Sequence, residues 1–455
     1  MFIPVIIDEE KKQLLIFSNN KIFQEWNNDI KDSHLIEYIL PTEDLEDLKL
    51  VKDKFETIEE YNFEEIIGKN NLKDSIIALI FKGKNEARVL SKMNVQDNIT
   101  IKNQSTSDDT KYLSIALKSS SNKINIGHAG TAMRFLTSYF SVKKNSIVEI
   151  YGSKRMHKRP ISILVESLRQ IGAEIEYLDN IGFPPLRITG QKLKSKKLKI
   201  DSSISSQFIS SLILISPKIE GGLMIEMTGK DTSLPYIEMT IDLLKKIGVS
   251  VTYQKNMITI YQKERINVID ITVEPDWSSA SYFYSIVSLA ERGYSLELTN
   301  FNSVSIQGDK RACKIFELFG VKTTFMDESI HLEKISEASQ IINLDLSANP
   351  DLAQTIAVTC LALKISCKLT GLHTLKIKET DRITALENEI KKFNVFPMVT
   401  NDSIEFNASN AIFNATKILT YEDHRMAMAF ACLAVKTDLE IENSGVPIKI
   451  IFKAI

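Results

Sequence analysis

Four stretches of this chain share one pattern: LRQIGAEIEY (168–177), LKKIGVSVTY (244–253), FELFGVKTTF (316–325) and IKKFNVFPMV (390–399). Each closes an amphipathic helix, passes through a Gly or Asn, and opens a short alternating strand. The punctuating residues are Gly172, Gly248, Gly320 and Asn394, spaced 76, 72 and 74 residues apart. Glycine and asparagine most readily take the left-handed backbone that ends a helix. One such junction is common in any α/β protein. Their regular spacing predicts a repeated unit of about 70 residues, longer than the usual solenoid period of roughly 20–50. A unit of that size has room for two helices and several strands.

The chain has 455 residues, 44% hydrophobic and 25% charged. That length predicts two or more domains at roughly 100–200 residues each, and the composition is that of a globular protein. No apolar run reaches the roughly 18 residues of a membrane span. The start, MFIPVII followed by Asp8, Glu9 and Glu10, lacks the basic opening of a signal peptide. Four cysteines without CxxC spacing exclude a disulfide framework and argue against zinc. Residues 1–75 carry 18 acidic against 9 basic side chains, whereas the remainder carries 40 against 47. An acidic leader thus precedes a mildly basic body, which favours small anions but is too dispersed for nucleic acid. The expectation is a cytoplasmic protein.

Apolar residues at helical spacing predict helices in TAMRFLTSYFSV, SQFISSLILISP, SYFYSIVSLAERG, QTIAVTCLALK and HRMAMAFACLAVK. Several start at polar clusters: Thr131, Ser205–Ser206–Gln207, Ser278–Ser279 and Asp423–His424–Arg425. A helix start offers free N–H groups and a positive dipole end to anions, although ordinary capping accounts for any one cluster alone. The densest chemistry lies in KIKETDRITAL (376–386). If both are helical, Lys378 and Arg382 share a face and can hold an anion, with Glu379 between them to exchange a proton. A salt-bridged helix start is the competing reading. Arg155 and Arg159 are likewise four apart in YGSKRMHKRPISIL.

These clusters, with HAGTAMR, GFPPLRI, SSQF, SLPYIEMT, VEPDWSSASYF, SIQGD, NPDLAQTIA and DHRMAM, occur in an order that resembles the enolpyruvyl transferases. Within them, the match is to the branch that acts on shikimate 3-phosphate, over roughly residues 100–430. The resemblance implies an α/β (α+β) fold of two domains, each three copies of a βαβαββ unit closed as an inside-out α/β barrel. It agrees with the repeat read above. It places domains at 80–241 (shikimate 3-phosphate side) and 242–455 (phosphoenolpyruvate and catalytic side), with 1–79 a divergent acidic region that either completes the second domain or stands apart from it, and a hinge near 80–100 and 240–243. It implies transfer of the enolpyruvyl group from phosphoenolpyruvate to the 5-hydroxyl of shikimate 3-phosphate. The reaction runs in a monomer by addition and elimination, without metal or organic cofactor. Carried over position by position, Asp351 is the candidate base and Glu379 the proton donor. Lys378 and His424 stand beside them, with a capping role for His424 equally open. Gly130, Arg155, Gln207, Arg382, Arg425 and Lys449 fall to phosphoenolpyruvate. Lys84, Arg88, Ser205, Ser206, Gln207, Ser233, Asp351 and Lys378 fall to shikimate 3-phosphate, with Tyr236 shaping that pocket.

Four positions depart from the family pattern. Gly83 aligns with its N-terminal lysine, leaving Lys82 or Lys84 as replacements. His128 stands for an asparagine, where its ring is expected to crowd the pocket. Thr374 also stands for an asparagine, and its hydroxyl is a substitute. Around Lys449, isoleucines replace small and aromatic residues. Two further readings therefore accompany active synthesis. One is a non-catalytic relative that binds shikimate 3-phosphate. The other is the UDP-N-acetylglucosamine enolpyruvyl transferases, disfavoured because no cysteine lies between Arg88 and Arg155.

Overall fold

The computed structural model describes residues 5–8, 13–16, 99–103, 105, 108–230, 232–263, 269–442 and 448–450. A short antiparallel hairpin, β1 (Val5–Asp8) and β2 (Gln13–Ile16), comes first. Strand β3 (Ile99–Lys102) then leads into α1 (Asp108–Lys118). One full unit runs β4 (Lys123–Asn125), α2 (Gly130–Val142), β5 (Ser146–Tyr151), α3 (Ser162–Gln170), β6 (Glu174–Tyr177) and β7 (Leu186–Gly190). The next runs β8 (Lys197–Asp201), α4 (Ser206–Ile215), β9 (Leu223–Thr228), α5 (Leu234–Lys246), β10 (Val251–Gln254) and β11 (Met257–Ile260). Strand β12 (Ile269–Thr272) returns to pair in parallel with β3. Three further groups follow. The first is α6 (Trp277–Leu289), β13 (Ser295–Thr299), α7 (Ala312–Glu317), β14 (Val321–Phe325) and β15 (Ser329–Lys334). The second is β16 (Ile341–Asp345), α8 (Ala353–Ala362), β17 (Ser366–Thr370), α9 (Arg382–Lys391), β18 (Met398–Val399) and β19 (Ile404–Asn407). The last is β20 (Thr416–Leu419), α10 (His424–Ala431), β21 (Leu439–Glu442) and β22 (Ile448–Ile450).

The repeated unit is βαβαββ. In the sheets β4-β5-β7-β6, β8-β9-β11-β10 and β16-β17-β19-β18, the first pair is parallel and the other two antiparallel. A helix crossover yields the parallel pair, and direct reversals yield the antiparallel ones. The four punctuating residues sit between helix and strand with φ of 103° (Gly172), 84° (Gly248), 79° (Gly320) and 58° (Asn394), the left-handed backbone expected of them.

Helices sit inside and sheets outside. Helix α2 is buried along nearly its whole length, including Thr137 and Ser141, whose hydroxyls bond back to carbonyls one turn earlier. Equivalent helices are then stitched by hydroxyl pairs one repeat apart. Ser138 Oγ donates to Ser211 Oγ between α2 and α4 at 3.0 Å, and Ser281 Oγ to Thr355 Oγ1 between α6 and α8 at 3.1 Å. Ser285 and Thr359 meet at 2.7 Å. Small paired hydroxyls let buried helices approach without leaving polar atoms unsatisfied.

Two apolar cores result. One gathers residues from Leu113 to Val273, the other from Trp277 to Ile441. This corrects the expected boundary at 241–242, which falls inside α5, where Ile241, Leu243 and Leu244 are all buried. From Ile237 onward that helix packs into the first core, so the change of core falls after 240–243. The chain passes from first core to second beside the β3–β12 ribbon. The other expected hinge segment, 80–98, and most of 1–79 lie outside the described residues.

Candidate active site

A cleft lies between the two cores. The first lobe contributes Arg134, Arg159, Pro160, Ser205, Ser206, Gln207, Ser233 and Tyr236 to its walls, and the second contributes Asp351, Thr374, Lys378 and Glu379. Helix starts supply much of this lining. Ser205 caps α4 with its backbone only, as Ala129 does for α2, so first-turn N–H groups are left uncapped by side chains at both. Ser233 starts α5 with φ 57° and is fixed to the other lobe by its N–H, which donates to the Ser347 carbonyl at 2.9 Å. Gln207 Nε2 donates to Thr131 Oγ1 at 3.1 Å. Tyr236 lines the cleft, with its hydroxyl donating away from it to Asp309.

The second lobe holds a charge network. Asp351, just before α8, takes Arg382 Nη1 at 3.2 Å, Arg425 Nη2 at 3.1 Å and Lys378 Nζ at 3.6 Å. Arg382 also donates to Glu379 and Asp423, each at 2.6 Å, and is fully buried. Asp381 caps α9 through Thr384 N, so Lys378 stands outside that helix in extended backbone. The shared helical face expected for Lys378 and Arg382 does not form. They converge because both reach the same oxygen of Asp351.

Burial pushes the Lys378 ammonium down, opposed by Asp351. For Glu379, burial favours the neutral acid, yet Arg382, Arg159, His424 and Lys378 together hold the carboxyl well below its ordinary range. Burial takes the His424 imidazole down to about 4, against the pull of Asp423. His424 is thus neutral near pH 7, and its Nε2 is buried without a hydrogen-bond partner.

The assignment of Arg155 within the KRMHKRP segment needs correcting. Arg155 is exposed and outside the cleft lining, and its Nε donates to the Glu379 carbonyl at 2.6 Å. A single tight helical turn, Met156–Lys158, followed by Pro160, swings Arg159 inward instead. Arg159 is 6% exposed and pairs with Glu379 at 3.4 Å. Its guanidinium closes on Gly130: a Cβ built there would lie 2.2 Å from Arg159 Nη1 and 2.8 Å from Arg134 Nη1.

Arg134, the last residue of HAGTAMR, is a site residue that the sequence reading does not single out, although the motif contains it. It is buried, donates Nη1 to the Gly130 carbonyl at 2.8 Å, and is lowered to about 9 by burial and by Arg159. Arg134 Nε, Arg159 Nε, Thr374 Oγ1 and Arg425 Nε are buried without hydrogen-bond partners. Buried polar atoms are nearly always paired, so these are groups that a polar ligand would satisfy.

His128 does not crowd the cleft; it is exposed and edge-on to Tyr112 at 6.1 Å. Lys84 and Arg88 lie outside the described residues. Lys449 belongs to β22, where its backbone pairs with Glu440, but its side chain is not among those described. Among the described residues no helix is long and apolar enough to cross a membrane, and no cluster of three or more His, Cys, Asp or Glu is arranged for a metal.

Repeated βαβαββ units around a cation-lined cleft are the architecture of an enolpyruvyl transferase. A family model described as EPSP synthase (3-phosphoshikimate 1-carboxyvinyltransferase) matches residues 84–448. A 3-phosphoshikimate 1-carboxyvinyltransferase of Bacteroides fragilis (strain YCH46) is 41% identical over 353 residues, covering 77% of this chain and 85% of that protein. One from Actinobacillus pleuropneumoniae serotype 5b is 36% identical, covering 68% and 72%. Among solved structures, an EPSP synthase from Acinetobacter baumannii superposes with a TM-score of 0.56 at 23% identity, covering 73% of this chain and 75% of that one. The enolpyruvyl transferase NikO from Streptomyces tendae does so at 0.51 and 12% identity, covering 70% and 72%. At those identities the two structures support the fold alone. The chain belongs to the EPSP synthase (3-phosphoshikimate 1-carboxyvinyltransferase) family.

Proposed function

We propose that this chain joins the enolpyruvyl group of phosphoenolpyruvate to the 5-hydroxyl of shikimate 3-phosphate, releasing phosphate. The observation that carries this reading is the convergence, on one cleft, of Arg134, Arg159 and the 205–207 segment from one lobe with Asp351, Lys378, Glu379 and Arg382 from the other. Two polyanions brought together need such a density of donors, and guanidinium groups suit both carboxylate and phosphate. The uncapped start of α4, Ser205, Ser206, Gln207, Ser233 and Lys378 take shikimate 3-phosphate. Arg159 (in place of Arg155), Arg382, Arg425 and the backbone at Gly130 take phosphoenolpyruvate, with Gln207 between the two. Lys84, Arg88 and Lys449 retain the roles implied by the resemblance.

In this scheme Asp351 accepts the hydroxyl proton as the oxygen attacks the phosphate-bearing enol carbon, while Glu379 gives its proton to the terminal methylene. The adduct then returns a proton from the new methyl group to the Glu379 carboxylate as the carbon–oxygen bond to phosphate breaks, re-forming the double bond and releasing phosphate. Glu379 must therefore be protonated at attack, whereas its cationic neighbours hold it ionised beforehand. The phosphate and carboxylate of the incoming ligand engage Arg159 and Arg382, weaken their hold on Glu379, and let it take up a proton. His424, next to Asp423, pulls on that carboxyl only when protonated and is neutral near pH 7, so there Arg382, Arg159 and Lys378 hold Glu379 ionised.

The resemblance gives a monomer with two small-molecule substrates and no nucleic acid, and we retain that reading. Four free, buried cysteines suit the reducing cytoplasm. Phosphate release from phosphoenolpyruvate by the purified chain, dependent on shikimate 3-phosphate, tests the reading. Release without the acceptor, or none with it, counts against it.

A further inference from the structure

A histidine outside the cleft ties its two lobes together. His373 Nδ1 lies 3.1 Å from Asp402 Oδ1, and its backbone N–H donates to the same oxygen at 3.1 Å. Those contacts stay within the second lobe. The other ring nitrogen crosses to the first: Nε2 lies 3.1 Å from the Ser203 carbonyl oxygen and 3.0 Å from Thr232 Oγ1. Thr232 directs its own hydroxyl at the Lys230 carbonyl, 3.2 Å away, so it is free to accept from the ring. A carbonyl only accepts, so Nε2 is the ring's donor across the lobes, with its N–H directed at the Ser203 carbonyl. Lys230 Nζ, 3.6 Å from Asp402 Oδ2, adds a second link between the same segments.

The placement gives this contact its consequence. Each of the three backbones that meet at the ring enters the cleft wall at the next residue: Ser203 precedes Ile204, Thr232 precedes Ser233, and His373 precedes Thr374. Two residues past Ser203 begin the Ser205–Ser206–Gln207 donors. Five residues past His373 comes Lys378. Ser203 is itself braced, its N–H and hydroxyl both donating to Asp201 Oδ1 at 2.9 and 2.6 Å. The ring is thus anchored to rigid partners on both sides.

We infer that His373 is a positioning residue for the acceptor substrate: its ring sets the register of the three segments that grip shikimate 3-phosphate before the ligand arrives. The inference rests on the assignment of Ser205, Ser206, Ser233 and Lys378 to that ligand under the proposed function. Holding donors in place beforehand removes an ordering cost from binding. Loss of the ring therefore falls on the acceptor's affinity. Arg134, Arg159, Arg382 and Arg425 are held by separate contacts, so phosphoenolpyruvate is spared.

The test compares the full-length protein with His373→Ala, His373→Gln and Thr232→Val. It measures KM for each substrate, kcat, melting temperature and calorimetric binding of shikimate 3-phosphate. The expected result for His373→Ala is an acceptor KM and dissociation constant raised about tenfold, the effect of losing one or two hydrogen bonds. KM for phosphoenolpyruvate stays within about twofold, and melting is nearly unchanged. His373→Gln keeps one donor and recovers part of the loss. Thr232→Val weakens the acceptor in the same direction, and combined with His373→Ala it adds little, because the two share one contact. Unchanged acceptor binding in His373→Ala overturns the inference. So does a parallel loss of both substrates together with melting temperature, which marks a merely structural role. A wild-type protein that neither turns over nor binds shikimate 3-phosphate instead overturns the proposed function and takes this inference with it. If His373→Ala does not fold, His373→Gln and Thr232→Val carry the same comparison.

Discussion

At the scale of residues, two arginines four positions apart have opposite fates, and only the backbone between them decides which. Arg159 is buried against Gly130 and Glu379, whereas Arg155 is exposed and bonded to a single carbonyl. Arg159→Ala is expected to lower kcat/KM for phosphoenolpyruvate by about 10- to 100-fold, the range for a lost charge-assisted contact. Arg155→Ala should change it less than about threefold, as for an exposed contact; steady-state kinetics on the pair checks both. The residue types are legible in the sequence, since KRMHKRP shows two candidates. The choice is not, because it depends on the tight turn at Met156–Lys158. Arg134 escapes notice for a related reason: one arginine within an apolar helix shows no sign of facing a cleft. His424 gives a second test at this scale. Its folded value is about 4 against an ordinary 6.5, so between those limits the unfolded chain binds more protons. Its contribution is whole above pH 6.5 and is lost as the pH falls toward 4. Denaturant unfolding across that range should show a steeper acid loss for the wild type than for His424→Gln. Equal slopes would contradict the buried neutral ring.

At the scale of elements, the junction glycines are equivalent by repeat but not by surroundings. Gly172 has φ 103° and nothing within 4 Å of the point where an added methyl would sit, whereas at Gly320 (φ 79°) that methyl would lie 1.9 Å from the Ser336 carbonyl oxygen. Alanine at 172 should cost about 1–2 kcal/mol from the left-handed backbone alone. At 320 it should cost about 1–3 kcal/mol more, because backbone must move aside. Urea unfolding of both variants measures the difference, and equal losses would mean that the contact at Ser336 yields freely. The helices and their ends are readable because period 3.6 and a Gly or Asn stop are local signals. The repeat is readable for the same reason, being the same local signal four times over. The change of core at residues 273–277 is not. It is set by the pairing of β3 with β12, strands about 170 residues apart, and α5 gives no local sign of which core it serves. Likewise the hydroxyl pairs that join equivalent helices, such as Ser138 with Ser211, are plain serines in the sequence until the helices are laid side by side.

At the scale of the whole molecule, the two lobes meet across a cleft lined by Arg134, Arg159 and Lys378 against Asp351 and Glu379, with Arg382, Arg425 and Asp423 buried behind them. Arg134, Arg159, Lys378, Arg382 and Arg425 face Asp351, Glu379 and Asp423, with Asp109 acting on Arg134 from behind. Joining the lobes brings the first two cations toward the other three in a space that excludes much of the water, where like charges repel more strongly. Among the described residues, the contacts that oppose this repulsion include Arg159 with Glu379, Arg155 with the Glu379 carbonyl, Ser233 with Ser347, Tyr236 with Asp309, Lys230 with Asp402, and the His373 junction. Two polyanionic substrates reverse the balance by supplying the missing negative charge between the walls. The free protein in solution should therefore sample wider separations, and the two ligands together should draw it in about the β3–β12 ribbon. Small-angle scattering should show a smaller radius of gyration with both substrates than without. The difference should shrink as salt rises, since screening weakens the repulsion that holds the lobes apart as well as the attraction that closes them. Arg134→Ala removes one of the repelling cations, so the free variant should already be more compact than the free wild type. A radius of gyration indifferent to ligands, salt and this substitution would mean that the contacts across the cleft outweigh its charge, and that the lobes form one rigid body.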